Sequence, residues 1–242
     1  MILRILFLLE FLVLQLSWTQ ETPQPTGHFA RERTYHVVHY KLNISVDERA
    51  KTCSGDVSIR LVPLRPQLAE IRLDAAEMKV AGVKLDRESL EFHLAGETLF
   101  VDRKRPYGLR DTLTLVSSYS IASPRKGLYF VAPDSGYPEK HWQVWSQGEA
   151  EDNHFWFPCY DFPNDRATSE MVATVNDRFT AISNGQLIDV QRDRKNHTAT
   201  FHWLENKPHV SYLISLVAGE YVEVKDSWGI VPISNYVYKN QQ

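Results

Sequence analysis

The sequence predicts an all-β protein of two packed sheets with one or more bent edge strands. Three features carry that expectation. Apolar residues recur at every second position in run after run, the spacing of a half-buried strand. Turn signals rich in Gly, Asn and Asp separate the runs. Beyond the first twenty residues no segment shows a long, capped 3.6-residue period. The 242 residues are 43% hydrophobic and 12% aromatic, with six Trp, eleven Tyr and eleven Phe. Such a composition supports a packed core rather than a disordered chain, and the length suits one β-domain or two small ones.

The chain opens with Met1-Ile-Leu-Arg4, one positive charge, then an apolar run from Ile5 to Leu16. That run is short for a bilayer span, and Glu10 near its middle would be costly in lipid. Ser17 and Thr19 place small residues three and one positions before Gln20. Residues 1–19 are therefore expected to be a cleaved signal that exports the protein to the periplasm or the exterior, with no stable membrane span. A buried helix or an uncleaved anchor is the alternative. Cleavage would remove Arg4 and Glu10 together and leave the net charge of −3 unchanged. Residues 20–32, with Glu21-Thr-Pro-Gln-Pro-Thr-Gly27, form a polar lead-in expected to be mobile. Residues 33–242 are expected to form the β-domain.

Within that domain Tyr40, Leu42, Ile44 and Val46 alternate with Lys41, Asn43, Ser45 and Asp47. The next run sets Val57, Ile59 and Leu61 against Asp56, Ser58 and Arg60, after Gly55. Shorter runs follow at Ile71 and Leu73, at Leu90, Phe92 and Leu94, and at Leu113 and Leu115. Later come Met171, Ala173 and Val175, then residues 180–183. Asn184-Gly185 is a strong hairpin signal, because both residues tolerate positive φ. Residues 186–192 and 198–204 are expected to pair across the charged turn Asp193-Arg-Lys-Asn-His197. The last strands are expected at 212–218, 222–224 and 230–238.

Composition also limits function. With 27 basic and 30 acidic residues the chain gives no reason to expect nucleic acid or an acidic membrane surface as partner. Two cysteines, Cys53 and Cys159, allow at most one bridge, so this is no disulfide scaffold. A thermolysin-like zinc site needs His-Glu-x-x-His on a helix. None of the nine histidines is followed by Glu. His36 and His39 fall on opposite faces of a strand, which is poor metal geometry. No metal site, and no complete catalytic centre, is visible in the chain. Two sequons, Asn43-Ile-Ser45 and Asn196-His-Thr198, matter only in a secretory pathway that glycosylates.

The informative stretch runs from His141 to Glu170. It contains Gln147-Gly148-Glu149, then Phe157-Pro158-Cys159-Tyr160-Asp161-Phe162-Pro163, then Arg166-Ala167-Thr168. Together these resemble the N-terminal domain of the zinc-dependent aminopeptidases, peptidase family M1, relatives of alanyl aminopeptidase and leukotriene A4 hydrolase. Tyr40-Lys-Leu42, Gly55-Asp-Val57 and Gly127-Leu-Tyr129 resemble the family's opening strands. Ser183-Asn-Gly185, Pro208-His-Val-Ser-Tyr-Leu-Ile214 and Gly219-Glu-Tyr221 resemble its closing ones. The resemblance covers roughly residues 33–238. It implies a β-sandwich bent like a saddle, placed before a thermolysin-like catalytic domain.

It also implies roles. Gln147 and Glu149 match the family's Gln-x-Glu motif, which reaches into the neighbouring active site. An aminopeptidase must recognise a free α-amine, and a carboxylate does so by a charge-assisted hydrogen bond that also fixes register. Glu149 would hold the amine of a peptide N-terminus; Gln147 would line the first side-chain pocket and contact the substrate backbone. Spacing alone would read Glu149 as part of a solvated acidic loop with Glu151 and Asp152. Phe157, Pro158, Cys159, Asp161, Pro163 and Arg166 read as structural: Cys159 as a buried thiol, Asp161 as a turn carboxylate bonded to nearby backbone and paired with Arg166. A Cys53–Cys159 bridge stays open. The aromatics from Trp142 to Phe162 suit core or interdomain packing better than a carbohydrate platform.

The family's Gly-x-Met-Glu-Asn loop and its zinc ligands do not occur in the sequence; both would follow residue 242. The chain is thus expected to hold no cofactor of its own and to be inactive alone, with zinc and catalysis supplied by a further domain in cis or in trans. A non-catalytic module that binds peptide N-termini or a partner protein is the competing reading.

Overall fold

The computed structural model describes residues 30–68, 70–102 and 105–238. The expected signal (1–19) and most of the expected lead-in (20–32) lie outside those residues. From Glu32 onward the chain forms one compact unit. Its strands are β1 (Tyr35–Asp47), β2 (Thr52–Pro63), β3 (Ile71–Asp74), β4 (Met78–Leu85), β5 (Glu88–Leu90), β6 (Phe92–Ala95), β7 (Thr98–Val101), β8 (Leu113–Ala122), β9 (Gly127–Val131), β10 (Gln143–Gln147), β11 (Ala167–Asn176), β12 (Thr180–Ser183), β13 (Gln186–Asp193), β14 (Thr198–His209), β15 (Leu216–Gly219), β16 (Tyr221–Trp228) and β17 (Val231–Tyr238). Two 3-10 turns, Asn153–Phe155 and Ser211–Leu213, interrupt them.

An eight-stranded sheet runs β13-β14-β11-β1-β2-β8-β4-β5, and a four-stranded sheet runs β12-β15-β10-β9. A three-stranded sheet, β3-β7-β6, and the hairpin β16-β17 complete the set. Every described pair is antiparallel except β1 with β11, where His39 to Ser45 face Thr168 to Thr174 in parallel. Period-two alternation does what it predicted in β1: Leu42, Ile44 and Val46 are buried while Lys41, Asn43 and Ser45 are exposed. The buried face of the large sheet shares one core with Leu128, Val144 and Ala218 of the four-stranded sheet and Leu73 and Leu99 of the three-stranded one. This is the all-β sandwich that the sequence predicts. Register shifts at Val37/His39, Val80/Gly82, Ala167/Ser169 and Leu187/Asp189 mark bulges, which bend and twist the strands that carry them.

Several local expectations change. The run Leu90, Phe92, Leu94 is two strands, not one: β5 closes the edge of the large sheet and β6 joins the small one, and Leu94 is 41% exposed. Asn184-Gly185 is not a hairpin turn. Although β13 does pair β14 as expected, β12 pairs β15 and lies in the other sheet, so Asn184-Gly185 carries the chain between sheets. Glycine is needed there, since Gly185 has φ +84° and any Cβ would strike the Leu204 carbonyl. Residues 212–215 are a 3-10 turn and a loop, and the strand begins only at Leu216.

Candidate functional site

The site builds from β10. Val144 points into the core and is fully buried, so period two turns Trp145 and Gln147 outward. Register then places Tyr129 of β9, Val217 of β15 and Ile182 of β12 in one row with Trp145. Tyr129 and Trp145 stack with centroids 4.5 Å apart. Gln147 closes this half-exposed face, and Glu149 follows on the adjoining loop; both side chains are exposed. No described residue hydrogen-bonds either one.

The loop beneath them is held firmly. Gly148 is buried, and a Cβ there would collide with Asn153 Oδ1 and the Tyr212 carbonyl. The Asp152 N–H donates to the Gly148 carbonyl at 2.8 Å, closing the turn; the Glu149–Ala150 peptide is cis. Asn153 is fully buried, and its amide satisfies three partners. Nδ2 donates to the carbonyls of Ser211 at 2.7 Å and Ile214 at 3.0 Å, while Oδ1 accepts the Trp156 indole N–H at 2.7 Å. A buried amide satisfied this fully fixes its backbone. Asn153 and Ser211 escaped the sequence reading. The one available signal was a polar residue set beside the apolar run Phe155-Trp156-Phe157.

The motif after the loop supports it from behind. Trp156, Phe157 and Cys159 are fully buried, with Tyr160 nearly so. Cys159 bonds Asp74 of β3 through both backbone groups, at 2.7 and 3.0 Å. Cys159 and Cys53 form no disulfide with each other, and burial pushes the Cys53 thiol up to about 12. Asp161 is buried, but it does not pair with Arg166. Its carboxylate accepts the His154 N–H at 3.1 Å, the His154 ring at 2.9 Å and the Ser211 hydroxyl at 3.1 Å. Arg166 is exposed and donates its backbone N–H to Asp165. Asp165 instead is the carboxylate that gathers charge, meeting Arg33 and His36 at 2.6 Å each. Pro163 is exposed at the turn before it.

Five of the described histidines, His36, His39, His154, His197 and His202, meet carboxylates. His36 reaches Asp165, whereas His39 and His202 meet Glu170 at 3.5 and 2.7 Å beside Lys41. Lys41 at 2.7 Å occupies that carboxylate with a fixed cation. Among the described residues no three His, Cys, Asp or Glu side chains are grouped to hold a metal ion. A zinc ion does not fit the donors present. Among the same residues no helix is long and apolar enough to cross a membrane.

Comparison with known proteins agrees with this architecture. The chain is 26% identical to aminopeptidase B of Mus musculus over 212 residues, 78% of this chain and 32% of that protein. It is 25% identical to leucine aminopeptidase 2 of Kluyveromyces lactis over 221 residues, 86% and 31% respectively. A shorter match, 30% over 113 residues, is to transcription initiation factor TFIID subunit 2 of Gallus gallus, covering 46% of this chain and 10% of that one. The chain thus spans at most about a third of these relatives. In fold it is similar to an M1 zinc metallopeptidase from Deinococcus radiodurans, with a TM-score of 0.70, 20% identity, and coverage of 84% of this chain and 47% of that one. Residues 36–213 match the family model described as the peptidase M1 N-terminal domain, and on that match the chain belongs to this family.

Proposed function

We propose that this chain is the amine-recognising domain of an exported zinc metallo-aminopeptidase. In this reading it occupies residues 33–242 after a cleaved signal, and removes nothing by itself. Glu149 accepts the α-ammonium of a peptide, and Gln147 borders the first side-chain pocket. Zinc and the activated water belong to a domain outside residues 1–242. The observation that carries the reading is the pairing of two exposed polar side chains with a backbone that cannot move freely. Gln147 ends β10 and Glu149, two positions on, sits on the loop fixed by buried Asn153 and Gly148. With the backbone already held, capturing an amine would cost mainly the entropy of the Glu149 side chain. The apolar row through Trp145 and the exposed hairpin residues Trp228, Ile230 and Val231 fit a domain that normally packs against another.

The test is an assay of the purified chain with zinc and aminoacyl chromogenic substrates. No turnover is expected. Turnover that a chelator or Glu149→Ala abolishes would overturn this division of labour. The similarity to a protein named as a TFIID subunit favours a second reading, a module that binds without catalysis. A soluble monomer with tight peptide or partner binding would support that alternative.

A further inference from the structure

Directly behind the candidate site, three carboxylates face one imidazole. His154 Nδ1 lies 2.9 Å from Asp161 Oδ2, and Nε2 lies 3.6 Å from Glu97 Oε2. Asp74 adds a third negative charge, accepting the Asp161 N–H at 2.8 Å. The Asp161 carboxylate is 1% exposed and the His154 ring 13%. A carboxylate buried that deeply needs a cation or several donors. Its other oxygen takes the Ser211 hydroxyl, which leaves the imidazole as its one chargeable side-chain partner among the described residues. On the outer side Glu97 is shared with Arg125 at 3.0 Å, and Arg125 also pairs with Glu77 at 2.5 Å. Lys126 bonds Asp152 at 3.0 Å and lies over Phe155, whose ring packs on His154. Burial alone would push the imidazole toward its neutral form. The hydrogen bond to Asp161, with the charges of Asp161, Asp74 and Glu97, outweighs that and raises the group above 6.5.

The connection to the site is covalent and short. His154 is joined by one peptide bond to Asn153, which frames the loop under Glu149. Its own backbone is held at both ends, by Asp161 at the N–H and by Ala76 at the carbonyl. We propose that His154 is a protonation-dependent positioning residue: as the imidazolium it locks the Gly148–Asn153 loop against Asp161 and Ser211, and on deprotonation that lock loosens. Its consequence for substrate rests on Glu149 being the amine-binding group; the coupling of ring to loop does not.

The two are separable in one experiment on the isotopically labelled chain. Nuclear magnetic resonance follows the His154 ring and the Gly148, Ala150 and Asp152 amides between about pH 5 and 9, the interval that brackets histidine titration. Ring and amides are expected to shift with one shared midpoint above 6.5. Glu97→Gln, a change at an exposed side chain, should move that shared midpoint downward, and His154→Gln should abolish the loop's shift. Should His154→Gln fail to fold, Glu97→Gln alone decides. Amides that stay flat while the ring titrates, or that keep their midpoint in Glu97→Gln, overturn the proposal. Adding tri-alanine to native and Glu149→Ala chains tests the other reading separately. A coupled titration without Glu149-dependent binding supports the positioning role and sinks the amine-binding one.

Discussion

A methyl group at Gly148 would run into the Asn153 side chain and the Tyr212 carbonyl, both parts of the loop's frame. Gly148→Ala is therefore expected to cost about 1–3 kcal/mol, the usual penalty for overfilling a packed site. Asn153→Ala should cost more, because it strands two carbonyls and an indole N–H at about 1–3 kcal/mol for each group left buried and unpaired. Urea midpoints read both, and unchanged midpoints would mean that the loop yields. Titration adds a signed expectation. His154, raised above 6.5 in the fold, contributes stability that is complete below 6.5 and lost as pH climbs through its folded value. Burial lowers His39 and His209, so each contributes stability above 6.5 that is lost as pH falls toward its folded value. Asp161→Asn should remove the native chain's decline between about pH 6.5 and 8, below the range where the buried Cys53 thiol begins to cost stability, and leave the acidic one; a parallel decline over that interval in both would contradict the assignment. At this scale the sequence offers Gln147 and Glu149 as candidates, because the motif that names them is local. It could not reveal Asn153 or Ser211. Their partners lie about sixty residues away, and a buried amide carries no periodic signature.

Strands were legible where one face is buried and the other wet. β1, β2, β8 and β11 follow that rule, and their alternation reads straight from the residues. β4 was missed because its register slips between Val80 and Gly82, which breaks the alternation. β10 was missed because Gln143-Val-Trp-Ser-Gln mixes polar and apolar residues on its outward face. Asn184-Gly185 misled for another reason: it has the conformational freedom of a hairpin turn, but the core draws Ala181 to β15 while β13 stays with β14. Tertiary burial decided between two uses of the same dipeptide. The hairpin β16-β17 differs from the rest. It is only two strands wide, and Trp228, Ile230 and Val231 are 82%, 101% and 55% exposed. Little apolar burial holds its outer half, so its amides are expected to exchange with solvent well before those of β1, β2 and β11. Equal protection across the molecule would contradict this. Replacing Ile230 by Ser should change stability by less than about 0.5 kcal/mol.

At the scale of the whole molecule, one core runs through three of the sheets and contains no metal-ligand cluster among the described residues. Its folding should not depend on zinc. Adding a chelator is expected to leave the melting temperature unchanged; a fall on chelation would reveal a site that the geometry does not contain. On the proposed reading the zinc that the family implies belongs to another domain, and this one would supply recognition instead of chemistry. That division would make the isolated chain a weak binder with one strict preference. The most direct test is a resonance titration of the chain with tri-alanine and with N-acetyl tri-alanine, for native protein and Glu149→Gln. The account predicts weak, saturable shifts in the Gly148–Asn153 loop for the free amine alone, reduced about tenfold or more in Glu149→Gln, as expected for losing a hydrogen bond between charged groups. Equal shifts for both peptides, or shifts that Glu149→Gln leaves intact, would contradict it.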